Sequence, residues 1–339
     1  MEKNDNRDLM IHQAAREVYG LDTTPFIKLG SFESEIWEVN KNHSPLILRI
    51  TDGAHRTLPE LLSEASWIQY LSKNNVPCVT VIPTLQGNSC FSLADPSIHL
   101  MLFTKACGHG PTTEDVTMSL IEEWGALLGR MHRLSLRFRP DEHFIRSYTE
   151  NILTSHFNKV ADKINPLIQK KYSSLLIKCM EFPVSHKHYG LIHSDLHLGN
   201  FFIDQGHMVI FDFDDLQLGW FVFDIAIALY YIFWNTDLKE ETWYQDSGER
   251  SEKAKYFLTH LLKGYQEEFR LPACWFQMIP IFLELRQLDL YLVFKDRFGD
   301  SADLSTMPVK LLNQYEQRIL NQVPFMPQDV FDPAYYSIK

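Results

Sequence analysis

Several protein classes are excluded by what the chain has little of. Its 339 residues include 15 glycines and 16 prolines, too few for a collagen-like or low-complexity chain. Cysteine is equally sparse: Cys78, Cys90, Cys107, Cys179 and Cys274 form an odd, scattered set with no C-x-x-C pair. That argues against a disulfide framework or a thiolate zinc site, and it predicts reduced core thiols in a cytoplasmic protein. Positive charge is short as well. Lys and Arg number 32 against 43 Asp and Glu, a formal charge of −11, which disfavours a general nucleic-acid binder. The first residues are polar and acidic with no apolar run behind a basic start, so no secretory signal is expected. The longest apolar-rich stretch, Gly219 to Trp234, is shorter than the ~20 residues of a membrane span and contains Asp224. It reads as a buried core helix.

What is present describes a folded protein. Hydrophobic residues make up 45% and charged residues 22%, close to globular averages, and at ~150 residues per domain the length predicts about two domains or lobes. The periodicity changes along the chain. From Pro25 to Thr104 it is strand-like in PFIKLG, SEIWEV, PLILRI, VTVIP, SCFSL and IHLMLFT, with one helix between Thr57 and Ser72. Thr57 with Glu60 forms a capping box there, and Pro59 sits in the first turn. After Thr104 the pattern turns helical. Thr112 and Thr113 are expected to cap a helix beginning at Glu114, with Val116, Leu120, Trp124, Leu127, Met131 and Leu134 on one face. Further helical stretches are expected over Ser147–Phe182 (broken near Asn165-Pro166), Phe221–Trp234, Ser251–Phe269, Cys274–Phe298 and Val309–Val323. Only Phe201–Asp204 and His207–Asp212 read as strands in this half, joined at Gln205-Gly206. A small strand-rich lobe is thus followed by a larger helical one, and a site between them is the natural expectation.

The segment Leu191–Asp215, LIHSDLHLGNFFIDQGHMVIFDFDD, concentrates the chemistry. A hairpin after Asn200 returns Asp212 to the same end. An amide oxygen and a carboxylate placed there suit a hard cation such as Mg²⁺. Asp195 would face the same space, where a base accepts a proton from an attacking hydroxyl. In the first lobe Glu64 interrupts the stripe of Leu61, Ile68 and Leu71. A carboxylate on a packed face needs a partner, and Arg49 on PLILRI is the candidate.

His193, Asp195, His197 and Asn200 match H-x-D-x-H-x-x-N, and the pattern resembles the aminoglycoside phosphotransferase and choline kinase family of the protein-kinase-like fold. Trp124-Gly125 and Leu128-Gly129-Arg130-Met131-His132 resemble that family's helix ahead of the catalytic loop. Gly30-Ser31-Phe32-Glu33-Ser34-Glu35 resembles the nucleotide loop of its homoserine-kinase-like branch. In outline the likeness covers Ala14 to Phe298. It implies an α+β, bilobal fold: an antiparallel-sheet nucleotide-binding lobe with one key helix (1–104), then a mainly helical lobe (105–339) with the catalytic loop and acceptor site. Asp195, His193 and His197 would be the catalytic-loop residues, with His193 a hydrogen-bonding member of the loop. Asn200 and Asp212 would hold Mg²⁺. Ser31, Phe32, Arg49 and Glu64 would lie on the phosphate side of ATP, and the Thr104 carbonyl and Ala106 N–H would meet adenine. Arginine stands at position 49 where the fold usually has lysine, and its planar fork can still bridge Glu64 and a phosphate.

The activity so implied is ATP-dependent phosphoryl transfer to a hydroxyl of a small molecule: an amino alcohol, homoserine-like compound, sugar or aminoglycoside-type acceptor. The short run between Asp212 and the helix near Gly219 leaves no room for a long activation loop, which favours this over a protein Ser/Thr kinase. A non-catalytic nucleotide-binding scaffold is a further alternative, as is a metal-dependent hydrolase using His193, Asp195 and His197. Asp214 and Asp215 read either as solvated loop carboxylates or, for one of them, as an aid to metal or acceptor binding. Asp224 reads as a cap or brace. Arg286 with Asp289 reads as a pair on a solvated helix face, the alternative being an acceptor pocket lined by Glu284, Arg286 and Asp289. Oligomeric state, like the identity of the acceptor, is not encoded in these motifs.

Overall fold

The computed structural model describes residues 2–31, 33–93, 97–139, 146, 156–185, 187–240, 247–299 and 307–336. In chain order the first elements are α1 (Glu2–Tyr19), β1 (Ile27–Ser31), β2 (Glu35–Lys41), β3 (Ser44–Asp52) and α2 (Leu58–Lys73). They are followed by β4 (Val81–Ile82), β5 (Phe91–Leu93), β6 (Ile98–Thr104) and α3 (Met118–Ser135). Next come α4 (His156–Val160), α5 (Pro166–Met180), β7 (Tyr189–Ile192), β8 (Phe201–Asp204), β9 (His207–Ile210) and β10 (Gln217–Trp220). The chain ends with α6 (Phe221–Glu240), α7 (Ser247–Glu268), α8 (Ala273–Phe276), α9 (Ile279–Phe298) and α10 (Met307–Leu320). Two compact units result, neither continuous in sequence: 1–110 with 138–145 and 201–214, and 111–137 with 146–200 and 215–339.

The first unit is built on an antiparallel sheet of order β1-β2-β3-β6-β4, with β5 also on β6. Alternation along β3 sends Leu48 and Ile50 into a core with Val39, Leu100 and Leu102, closed by Ile11, Ala15 and Tyr19 of α1. The Tyr19 hydroxyl donates to the Leu100 carbonyl at 2.7 Å. All six expected strands occur; α1 does not announce itself in the sequence, because its first two turns are polar. Glu60 accepts from the Thr57 N–H and hydroxyl, both at 2.7 Å, at the start of α2.

The β8–β9 hairpin belongs to this unit although the sequence pattern groups it with the helices. Its two-residue turn has Gln205 at φ 52° and Gly206 at φ 86°, the left-handed pair that matches the twist of adjoining strands. Ile210 exchanges backbone hydrogen bonds with Pro77 and Val79, and Ile203 with His109. Gly108 permits that approach: a Cβ there would lie 2.0 Å from the Ile203 carbonyl oxygen.

In the second unit α3 packs against α7 almost backbone to backbone. A Cβ on Gly125 would lie 1.9 Å from the Leu261 carbonyl oxygen, and one on Gly264 1.8 Å from that of Glu122. The start of α3 differs from expectation. Thr112 and Asp115 close a turn on themselves, and Thr117 is the cap, accepting the Leu120 N–H at 3.3 Å. Helical structure over Ser147–Phe182 is interrupted as expected, Asn165 capping α5; residues 147–155 lie outside the described ones. Cys274–Phe298 splits into α8 and α9, and β7 pairs with β10, a two-stranded sheet the sequence pattern does not show. The apolar run becomes the first half of α6, buried from Phe221 to Tyr231. Among the described residues no helix is long and apolar enough to cross a membrane. All five cysteines are free, but Cys107 and Cys274 are exposed, so the expectation of core thiols fails for them.

Candidate active site

In the first unit the Arg49–Glu64 pair is present. The alternation of β3 turns Arg49 toward α2, where Glu64 sits among Leu61, Ile68 and Leu71, and both charged side chains are about 5% exposed. Arg49 Nη1 donates to Glu64 Oε1 at 2.9 Å and Nη2 to Oε2, a bidentate clamp. Asp214 joins it from beyond the hairpin, 3.8 Å from Arg49 Nη1. Its carboxylate also meets His55 Nε2 at 2.9 Å and Arg56 Nη2 at 3.2 Å. Asp214 is therefore not the solvated loop residue its position suggests. Burial opposes its ionisation, but the His55 hydrogen bond and the Arg56 and Arg49 charges override that and hold the carboxyl far below the usual range. His55 also lies 3.4 Å from Glu33, between β1 and β2.

Other first-unit candidates are more open. Ser31 ends β1, exposed and paired with Glu35 of β2; Phe32 lies outside the described residues. Thr104 ends β6, its hydroxyl accepting the Thr80 N–H at 2.9 Å, and Ala106 follows in irregular backbone, half-buried. Asp212 is exposed and adopts φ 62°.

The second unit holds the catalytic-loop motif. Asp195 receives donors on both carboxylate oxygens. Arg286 Nη2 donates to Oδ1 at 2.5 Å. Asn200 Nδ2 donates to Oδ2 at 3.1 Å and to the Asp195 carbonyl at 2.8 Å. His197 Nε2 lies 3.3 Å from Oδ2. Because His197 Nδ1 accepts the Gly199 N–H at 2.9 Å, the proton resides on Nε2 and points at Asp195. Burial works against the charged form of Asp195, and the Arg286 charge together with the His197 hydrogen bond outweighs it, so its carboxyl titrates below the normal range. His193 is buried, its backbone N–H donating to Asp224 and its Nδ1 3.4 Å from the Asp195 N–H.

Asp224, at the start of α6, is the loop's brace. One of its oxygens accepts the Ser194 N–H at 2.7 Å, and the other the His193 N–H and His132 Nε2, each at 3.0 Å. Tyr265, whose proton is held by burial, donates to His132 Nδ1 at 2.9 Å. Ser194 between them has φ 70°, a left-handed conformation that such bracing maintains.

Arg286 is the principal departure from expectation. It does not pair with Asp289 on a solvated face but reaches Asp195, and it also donates to the Tyr231 hydroxyl at 2.5 Å. Tyr231, His55 and Arg56 carry no motif and are missed by sequence reasoning, while His132 ends the Leu128–His132 segment that resembles the family's helix. Asp289 keeps a 3.5 Å contact with Tyr172. Burial, partly opposed by Arg286, pushes its carboxyl up to about 7.

A buried Arg–Glu clamp on a β-sheet and helix, and an H-x-D-x-H-x-x-N loop braced by a helical Asp, are the parts of a phosphotransferase of the protein-kinase-like α+β fold. The chain belongs to the phosphotransferase enzyme family, whose pattern matches residues 26–257. Amicoumacin kinase of Bacillus subtilis (strain 168) is 30% identical over 325 residues, 95% of this chain and 94% of that protein. A solved structure of amicoumacin kinase hAmiN in complex with AMP-PNP, Ca²⁺ and Ami covers 99% of both chains at 27% identity, with a TM-score of 0.86. The microcompartment-associated aminopropanol kinase shares the fold: TM-score 0.70, 21% identity, 93% of this chain and 98% of that one. The chain is thus a kinase, performing ATP-dependent phosphoryl transfer to a small-molecule hydroxyl. Membership in this family sets aside the hydrolase reading.

Proposed function

We propose that this enzyme phosphorylates an alcohol on an amine-bearing small molecule, with Asp195 as the group that meets the acceptor hydroxyl. The observation that carries this reading is the triply held Asp195 carboxylate. Such a carboxylate is ionised and immobile, and with three of its roughly four lone-pair sites filled it keeps capacity for one more donor, the acceptor O–H. As the acceptor O–P bond forms and the bond between the γ-phosphorus and the β–γ bridging oxygen breaks to release ADP, the hydroxyl proton passes to the Asp195 carboxylate. A base this acidic contributes chiefly orientation, in keeping with phosphoryl transfer as positioning and charge stabilisation. His197 fixes the carboxylate, and His193 shapes the loop.

Arg49, held by Glu64, would direct its positive charge to the nucleotide phosphates, with the Ser31–Phe32 segment beside them and Thr104 and Ala106 at adenine. Asn200 and Asp212 are the proposed ligands of a divalent cation, Mg²⁺ in our reading. The donor set fits: the Asn200 amide nitrogen is committed to Asp195, leaving the carbonyl oxygen for a cation, and Asp212 adds an exposed carboxylate. When bound, the cation neutralises charge developing on the phosphates. In this reading residues 1–104 form the nucleotide lobe and 105–339 the acceptor lobe of a cytoplasmic enzyme.

An amine on the acceptor is supported by carboxylate chemistry in the second unit. Asp289 and Asp215 both act electrostatically on Arg286 or on each other, and two such acids suit a cationic ligand. The names of the similar kinases, for amicoumacin and aminopropanol, point the same way. The test is ADP release with Mg·ATP over amicoumacin, aminopropanol, choline, homoserine, an aminoglycoside and a neutral sugar, each amine beside its N-acetyl counterpart where one exists. Amines should be turned over and their acetylated forms lose at least tenfold in kcat/KM. A neutral sugar outrunning every amine would overturn the proposal.

A further inference from the structure

We propose that Arg286 is a positioning residue for phosphoryl transfer. Through one nitrogen shared between Asp195 and Tyr231 it sets the rotation of the catalytic carboxylate. The inference rests on the role proposed for Asp195 above.

The donors on Asp195 are unevenly divided. Oδ2 receives both His197 and Asn200, whereas Arg286 is the donor on Oδ1. Two donors on one oxygen anchor that atom but leave the carboxylate free to swing about it. The one donor on Oδ1 among the described residues removes that freedom and leaves a lone pair there for the acceptor hydroxyl. Oδ1 is therefore the reacting oxygen, and Arg286 decides where it points.

Arg286 is itself held on several sides. Phe282, Leu283, Leu285 and Leu288 of α9 are buried, so the helix cannot roll to withdraw it. Its Nη2 is tied to the Tyr231 hydroxyl, and its guanidinium carbon lies 5.2 Å from the centre of the Tyr231 ring. The opposite neighbour of Tyr231 is His197, ring centres 4.2 Å apart. Arg286, Tyr231, His197 and Asp195 thus form a closed circuit in which each side chain limits the next. An arginine serving only helix stability would take Asp289 one turn along. No Arg286–Asp289 ion pair occurs among the described residues, and the nitrogen is spent on the loop.

The test is a double-mutant cycle of Arg286→Gln and Asp195→Asn on the full chain, using Mg·ATP and the best acceptor of the panel above, with Arg286→Lys alongside. Misplacing a reacting group by about 1 Å costs on the order of 10²-fold, so Arg286→Gln should lower kcat by about 10- to 100-fold with KM for ATP within about twofold. In the Asp195→Asn background the same substitution should have no further effect, and Arg286→Lys should restore part of the loss. A crystal structure of Arg286→Gln should show Oδ1 swung away while Oδ2 keeps His197 and Asn200. Unchanged kcat, an equal loss in the Asp195→Asn background, or an unmoved carboxylate overturns the inference. Full activity of Asp195→Asn instead overturns the underlying reading of Asp195.

Discussion

Two arginines, Arg49 buried and Arg286 half-buried, make opposite use of a carboxylate. Arg49 grips Glu64 with both arms of its fork, within one unit and 15 residues apart in sequence. Arg286 reaches Asp195 with one nitrogen across 91 residues and shares that nitrogen with a phenol. The first arrangement engages both oxygens of its carboxylate from one side chain and makes a fixed charge, suited to phosphates that must be met in one place. The second leaves capacity on its carboxylate, which a group receiving a substrate proton requires. Bidentate geometry gives rigidity; shared, monodentate geometry gives orientation with an open face.

That contrast can be broken residue by residue. The largest effect is expected at the open carboxylate: Asp195→Asn should lower kcat by about 10²- to 10⁴-fold, the range of general-base catalysis, with ATP affinity by calorimetry unchanged. Breaking the closed clamp should register in stability. Glu64→Gln leaves Arg49 with Asp214 at 3.8 Å as its nearest charge, and urea unfolding should report a loss of about 3–5 kcal/mol, as for a buried pair robbed of one member.

Asp289 offers a pH-dependent case. Its folded carboxyl titrates at about 7 against 3.8 for the exposed group. The folded state therefore binds this proton more tightly than the unfolded chain. The associated stability is fully present below pH 3.8, falls as pH rises through 7, and is lost above it. Asp289→Asn should then melt higher than the parent at pH 8, and the advantage should shrink steadily toward pH 5. An advantage independent of pH would break this account. The smallest effect belongs to the α2 cap, where Glu60→Ala should cost about 1 kcal/mol and leave kcat untouched.

What the sequence discloses follows the range of each interaction. The six strands, α2 and the Arg49–Glu64 pair are written in short-range alternation and in a charge interrupting an apolar stripe. The same signal stood at Arg286, four residues after Phe282 and three after Leu283, both buried. It is masked there by the nearby Asp289, which offers an easy local partner. Tyr231 lies inside an unbroken apolar run, where a hydroxyl has no periodic signature. The grouping of β8–β9 with the first sheet depends on hydrogen bonds to residues 77, 79 and 109, and strand pairing over such separations leaves no mark in either segment. Asp214 looked solvated for a similar reason: its cations come from His55 and Arg56, just ahead of a helix cap far upstream.

On this reading the γ-phosphate of ATP passes to an acceptor hydroxyl oriented by Asp195, whose carboxylate Arg286 positions. That transfer is tested most directly by mass spectrometry of complete reactions with Mg·ATP and the acceptor panel. We expect ADP and a phosphoester of an amine-bearing alcohol in equal amounts from the parent, and the same pair formed about 10²- to 10⁴-fold more slowly by Asp195→Asn. ADP with only inorganic phosphate from every acceptor, or the same phosphoester from Asp195→Asn at the parent's rate, would contradict it.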